Sequence, residues 1–106
     1  MIAKNIFDDI PDHLPEELIE KISGQGSVKI ERIVSRGHFS PDGFWYTQEQ
    51  NEYVILLRGK AGLVFKDRAD VIVLNPGDYL DIPAQAKHRL AWTSSDEDTV
   101  WLAVHY

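Results

Sequence analysis

The segment Asn51–Gly62, "NEYVILLRGKAG", sets a carboxylate, Glu52, at the head of the most hydrophobic stretch of a 106-residue chain. Burying an unpartnered carboxylate is costly, so Glu52 must lie at a solvated edge or meet a cation. The candidates to meet it are His88 and Arg89, in "GDYLDIPAQAKHRLAW". If residues 46–52 are extended, alternation puts Tyr46, Gln48 and Glu52 on one face. Two chemistries then compete. Gln48 through its amide oxygen, Glu52 and His88 can form a loose site for a divalent metal, with Tyr46 as a further weak donor. Alternatively Glu52 pairs with His88 or Arg89, and Gln48 and Tyr46 fill the remaining hydrogen bonds. The residue types leave both open.

The other histidines and the aromatic side chains give weaker signals. His38, in "SRGHFSPDG", reads as a solvated loop residue, and His13 as a surface or capping residue. His105 lies on the last apolar segment, "VWLAVHY", where alternation does not fix its face, and it is carried as a pocket candidate. Phe44, Trp45, Tyr46, Trp92 and Trp101 read first as core packing. Some of them could also line a pocket for a flat or apolar small molecule. Trp92 is the foremost, because it shares parity with His88 and Leu90.

Composition excludes much else. The formal net charge of -6, with no basic run, argues against nucleic acid and against an anionic membrane surface. No apolar run nears the roughly 20 residues of a membrane span. Acids occupy the N-terminal positions where a signal peptide would be apolar, so cytoplasm is the expected location. Without cysteine there is no disulfide, thiol nucleophile or thiolate metal site. Gly59-Lys60-Ala61-Gly62 is too short for a phosphate loop and reads as a hairpin turn. No spacing suggests a nucleophilic triad, and neither "DDIPD" nor "SSDEDT" has the spacing of a calcium loop.

The elements that must position these residues follow from periodicity. In residues 1–26, Leu14, Leu18 and Ile22 recur every fourth residue and Ile19 widens the stripe. Pro15, Glu16 and Glu17 suit a helix start and Gly24 its stop, which predicts a short amphipathic N-terminal helix. Residues 27–106 read as short strands broken by Pro, Gly, Asp and Asn turns: "SVKIERIVS", "GFWYTQ", "EYVILLRG", "GLVFKD", "VIVLN", "YLDIP", "HRLAWTS" and "TVWLAVHY". "YVILL" and "VIVL" lack alternation, so both faces of those strands call for cover. A homodimer packed sheet to sheet would supply it.

The spacing resembles that of the cupins, whose two signatures are G-x5-H-x-H-x3,4-E-x6-G and G-x5-P-x-G-x2-H-x3-N. Gly43, Glu52 and Gly59 hold places of the first, and Gly77, Pro83 and His88 places of the second. The resemblance covers about residues 27–106. It implies an all-β, cupin-type double-stranded β-helix (jelly-roll) barrel behind the N-terminal helical arm. In the complete family signature the two histidines, the glutamate and the later histidine bind a divalent metal. Here the H-x-H pair is replaced within Trp45-Tyr46-Thr47-Gln48, Gln85 stands for a glycine, and Trp92 stands for the asparagine. The resemblance therefore implies iron, manganese, nickel or zinc only at a reduced Gln48, Glu52 and His88 site. It carries three functional readings: a small-molecule-binding barrel with or without that metal, a metal-dependent dioxygenase or isomerase, and a non-catalytic structural or regulatory dimer.

Overall fold

The computed structural model describes residues 1–106, which form eight strands and no helix. These are β1 (Leu18–Gln25), β2 (Val28–Ser35), β3 (Glu52–Arg58), β4 (Ala61–Phe65), β5 (Ile72–Leu74), β6 (Tyr79–Ile82), β7 (His88–Thr93) and β8 (Thr99–His105). All pairings are antiparallel, in one sheet of order β1-β2-β8-β3-β6 and a second of order β5-β4-β7. The two inner faces enclose Val54, Leu56, Ala61, Leu63, Leu74, Ile82 and Trp101. No helix is long and apolar enough to cross a membrane.

The expected N-terminal helix is absent, and Leu18–Gln25 is a strand paired with β2. Residues 14, 18 and 22 have the same parity, so their fourfold spacing satisfies strand alternation as well as a helical stripe. Tertiary pairing decides between the two. Gln25 partners Val28 across Gly26-Ser27, and Gly26 adopts φ +61, as the first position of a two-residue type II′ hairpin turn requires. Ile19 and Ile22 consequently remain exposed, at 57% and 48%.

The residues before β1 are an irregular arm tied across the outer face of the larger sheet. Arg32, only 6% exposed, donates to the carbonyls of Ile6 (3.0 Å), Asp8 and Asp9 (3.3 Å) and pairs with Glu20. Arg36 donates to the carbonyls of Pro11 and Asp12 while pairing with Asp98, and the Arg58 guanidinium lies 4.1 Å above the Phe7 ring. His38 is also recruited here and is not a purely solvated residue: its Nδ1 accepts from the Arg36 amide and its Nε2 donates to the Pro15 carbonyl. Val34 and Val100, partners in register, are fully buried yet stand outside the interior cluster. Alternation puts Val34 on the same face of β2 as Arg32, the face that the arm crosses.

Two further expectations change. Residues 43–48 make only one β-bridge, Tyr46 to His88, and not a full strand. Gly59-Lys60 does not close a hairpin, because β3 and β4 belong to different sheets. It is the corner that carries the chain from one sheet to the other. Gly59 has φ +87, and a Cβ there would lie 2.7 Å from the Thr99 Cα.

Candidate functional site

The register places Lys29, His105, Glu52 and Ile82 side by side across β2, β8, β3 and β6. Directly opposed residues share a face, so this row presents a charged group, two site residues and an aliphatic wall to the barrel interior. From the facing sheet, β7 contributes His88 and Leu90, and β4 contributes Leu63. Together they bound a cavity of about 320 Å³, also lined by Glu17, Glu31, Tyr46, Gln48 and Trp101.

Glu52 sits at the start of β3 because that end of the strand opens on the cavity, where it meets the two partners expected of it. Gln48 Nε2 donates to its Oε1 at 2.8 Å, and His88 Nε2 stands 3.7 Å from the same oxygen. Burial alone would raise the Glu52 carboxyl. Its pairing with His88, the Gln48 bond and the nearby His105 outweigh that and hold it below its ordinary range. Burial would likewise lower His88, but Glu52 and the Ala86 carbonyl raise it. The Ala86 carbonyl lies 2.9 Å from His88 Nδ1, which leaves Nε2 turned toward Glu52.

The loop before β3 is fixed by main-chain bonds to the β6–β7 connection and β7. Tyr46 and His88 exchange amide bonds, and the Gln85 amide donates to the Gln48 carbonyl at 2.8 Å. Gln85, standing where the family signature has glycine, takes a left-handed φ of 69. The chain bends at Glu49 and Gln50, so these main-chain bonds and not strand alternation bring Gln48 to Glu52, while Tyr46 lines the same cavity. Tyr46 is half exposed at the rim, beside His88 and in edge contact with Phe44.

Of the other candidates, His105 lines the cavity, with Nε2 2.7 Å from Glu31 Oε1. Trp92 does not line it. Its indole lies against Gly62 on the paired strand, where a Cβ would come within 2.4 Å of Nε1. Arg89 turns away from Glu52 toward the Trp45 ring, 5.4 Å from its centroid. Sequence reading missed Glu17, Glu31 and Ser35. Lys29, Glu31 and Ile33 alternate in "VKIERIV", and that signal could have placed Glu31 inward. Glu17 was masked by its suitability for a helix start.

Glu17 enters the cavity just ahead of β1. Ser35 Oγ donates to its Oε2 and in turn accepts from Trp101 Nε1 at 3.3 Å. Burial pushes the Glu17 carboxyl up, only partly opposed by the Ser35 bond and His38, while the charge of Glu52 adds to the rise.

The donors do not fit a tight transition-metal centre. No group of three or more His, Cys, Asp or Glu converges as ligands would. Glu52 offers one carboxylate and His88 one imidazole, Gln48 presents its amide nitrogen to Glu52, and His105 is engaged by Glu31.

Residues 33–105 match the cupin domain family (Cupin_2), and the chain belongs to it. It is similar to a protein of Ralstonia eutropha JMP134 whose assignment as a mannose-6-phosphate isomerase is itself provisional. The two are 43% identical over 99% of this chain and 97% of that one, with a TM-score of 0.94. The fold is shared with an RmlC-like cupin of Desulfovibrio desulfuricans (18% identity, 99% and 96% of the chains, TM-score 0.74). It is shared also with the polyketide cyclase RemF of Streptomyces resistomycificus (19% identity, 99% and 78%, TM-score 0.75). No curated protein matches this chain.

Proposed function

We propose that this cupin binds a compact, uncharged, hydroxyl- or carbonyl-bearing small molecule against Glu52 and His88. The observation that carries this reading is the convergence of Gln48, Glu52 and His88 in a cavity whose apolar wall is Ile33, Val54, Leu63, Ile82, Leu90 and Trp101. Its volume is near the lower end of the roughly 300–1,000 Å³ typical of small-molecule sites. The Glu52 carboxylate accepts hydrogen bonds from ligand hydroxyls, a protonated His88 donates one, and the Trp101 and Tyr46 rings offer faces to the carbon skeleton.

The charge balance selects among ligands. Three carboxylates line the cavity, at Glu17, Glu31 and Glu52, and the only lysine or arginine is Lys29, 3.6 Å from Glu31. A phosphoryl group needs several cationic or backbone donors, and here the one lysine is paired with Glu31 amid three glutamates. The reading therefore departs from the phosphorylated substrate in the Ralstonia relative's name and favours the neutral sugar.

The test is calorimetry with D-mannose, D-fructose and their 6-phosphates, each with and without manganese, iron(II), nickel or zinc. We expect the neutral sugars to bind in the absence of metal and to weaken with Glu52→Gln and His88→Ala. Tighter binding of the phosphates, binding that survives both substitutions, or a strict need for an ion would overturn the reading.

A further inference from the structure

On one side of the barrel the two sheets meet without pairing. β5 is hydrogen-bonded only to β4 and β6 only to β3, so an edge of each sheet borders an open seam. Ile72 lies opposite Leu63, and Leu80 opposite Val54; both partners belong to the core, so Ile72 and Leu80 turn inward from the edge strands. With Phe65, Ile82 and Ala86 they form the apolar wall of a second cavity, of about 640 Å³, which shares only Ile82 with the site at Glu52. Its charged lining has the opposite balance from that site: Lys66, Arg68 and Lys87 against Asp67 and Asp81, in a chain of net charge -6. The Lys66 amide donates to the Lys87 carbonyl at 2.9 Å, one step beyond the Phe65–His88 pair, which sets the two lysines directly opposite each other. Neither lysine makes an ion pair, and like charges so opposed are unfavourable without an anion near them. Asp81 is engaged on both oxygens by the Tyr106 hydroxyl, at 2.6 and 2.8 Å, and Arg68 pairs with exposed Asp70 at 3.1 Å. Asp67 is the one lining acid without such a partner.

We propose that this seam binds a small organic monocarboxylate, its apolar body against Phe65, Ile72 and Leu80 and its carboxylate at Lys66 and Lys87. The lining holds three cations and two acids, so a single negative charge neutralises it and a second is unmatched. The lysines offer the carboxylate charge-assisted hydrogen bonds, and both are exposed, so the ligand's charge stays partly hydrated. The chain of the ligand replaces water on the inward faces of β5 and β6, where no second strand covers Ile72 and Leu80. The cavity at Glu52 does not compete for such a ligand, because three glutamates line it. Asp67 opposes the carboxylate and limits its affinity.

The experiment is calorimetry with butanoate, hexanoate and octanoate, beside octanamide, octyl phosphate and octyltrimethylammonium, with amide NMR shifts to locate the site. We expect octanoate to bind best of the three acids, affinity rising by up to about fourfold for each added methylene. Octanamide and the ammonium compound should bind more weakly than octanoate, and the amides of Lys66, Arg68 and Lys87 should shift on octanoate binding. Lys66→Ala and Lys87→Ala should each weaken octanoate by about fivefold, the scale of one charge at contact distance in water. Asp67→Asn should tighten it by a similar factor. All three positions are exposed, and melting temperatures report that the variants fold. Octanamide binding as tightly as octanoate, octyl phosphate binding more tightly, or unchanged affinity in both lysine variants overturns the proposal. So does absence of octanoate binding, or shifts confined to the Glu52 cavity. Glu52→Gln should leave octanoate affinity unchanged, so failure here and failure of sugar binding at Glu52 are read separately.

Discussion

Arg32 is the side chain on which the N-terminal arm depends, and replacing it with alanine is the sharpest test of how the arm is held. Its guanidinium reaches the carbonyls of Ile6, Asp8 and Asp9 as well as the Glu20 carboxylate. Bonds from a charged donor contribute about 1.5 kcal/mol each at the low end, and the Ile6 and Asp8 bonds give about 3 kcal/mol. Uncovering one face of Val34 and Val100 adds about 1 to 2 kcal/mol, part of the value for complete burial. The freed arm regains backbone entropy, which returns some of this, so the expected net loss is about 3 kcal/mol. For a domain of this size that lowers the melting temperature by roughly 12 °C or more. Arg32→Lys should be nearly as damaging, because an ammonium cannot serve four acceptors arranged around a planar fork. Differential scanning calorimetry gives the stability, and hydrogen exchange over residues 5–17 reports the arm directly. A melting temperature within a few degrees of wild type, with unchanged protection of the arm, would refute the role assigned to Arg32.

Four other predictions concern the site, the corner and the assembly. The His88–Glu52 pair contributes most between about pH 4.5 and 6.5. The raised His88 loses its contribution as pH climbs through its folded value, and the lowered Glu52 loses its own as pH falls through its folded value. The difference in melting temperature between wild type and Glu52→Gln should peak in that window, and a flat profile from pH 4 to 9 would contradict the pairing. Glu17 works in the opposite direction: its raised carboxyl makes ionisation costly above about pH 4.5, so Glu17→Gln should stabilise increasingly as pH rises, read by thermal melts. Gly59→Ala must fit a Cβ 2.7 Å from the Thr99 Cα at φ +87, and a loss of about 3 kcal/mol in urea unfolding is expected from overpacking and backbone strain. Exposed Val71, Val73 and Tyr79 leave apolar surface beyond the arm's reach, and we propose a homodimer, which sedimentation at micromolar concentration would detect; a monomer throughout that range would remove it.

Short-range patterning by itself determined the strands from Val28 onward and the neighbourhood of Glu52 with Gln48. Alternation and turn residues act locally, so "EYVILLR" and "TVWLAVH" were legible as strands, and Gln48 as a neighbour of Glu52 in sequence. The pairing of Glu52 with His88 was legible at the level of alternatives: charge called for a solvated edge or a cation at Glu52, and the family spacing put His88 on the opposite wall. Choosing His88 over Arg89 took the facing of β7, which turns Arg89 toward Trp45. Other features depended on contacts distant in sequence. Leu18–Gln25 satisfies both helical and strand periodicity, and only its register with β2 resolves it. His105 faces the cavity because β8 lies between β2 and β3 in a fixed register, which the isolated segment "VWLAVHY" does not encode. Glu17 becomes a cavity residue through Ser35 and Trp101, 18 and 84 positions away in the chain. Its pKa direction depends on that enclosure, because desolvation is a property of the closed barrel and not of the residues that flank it in sequence.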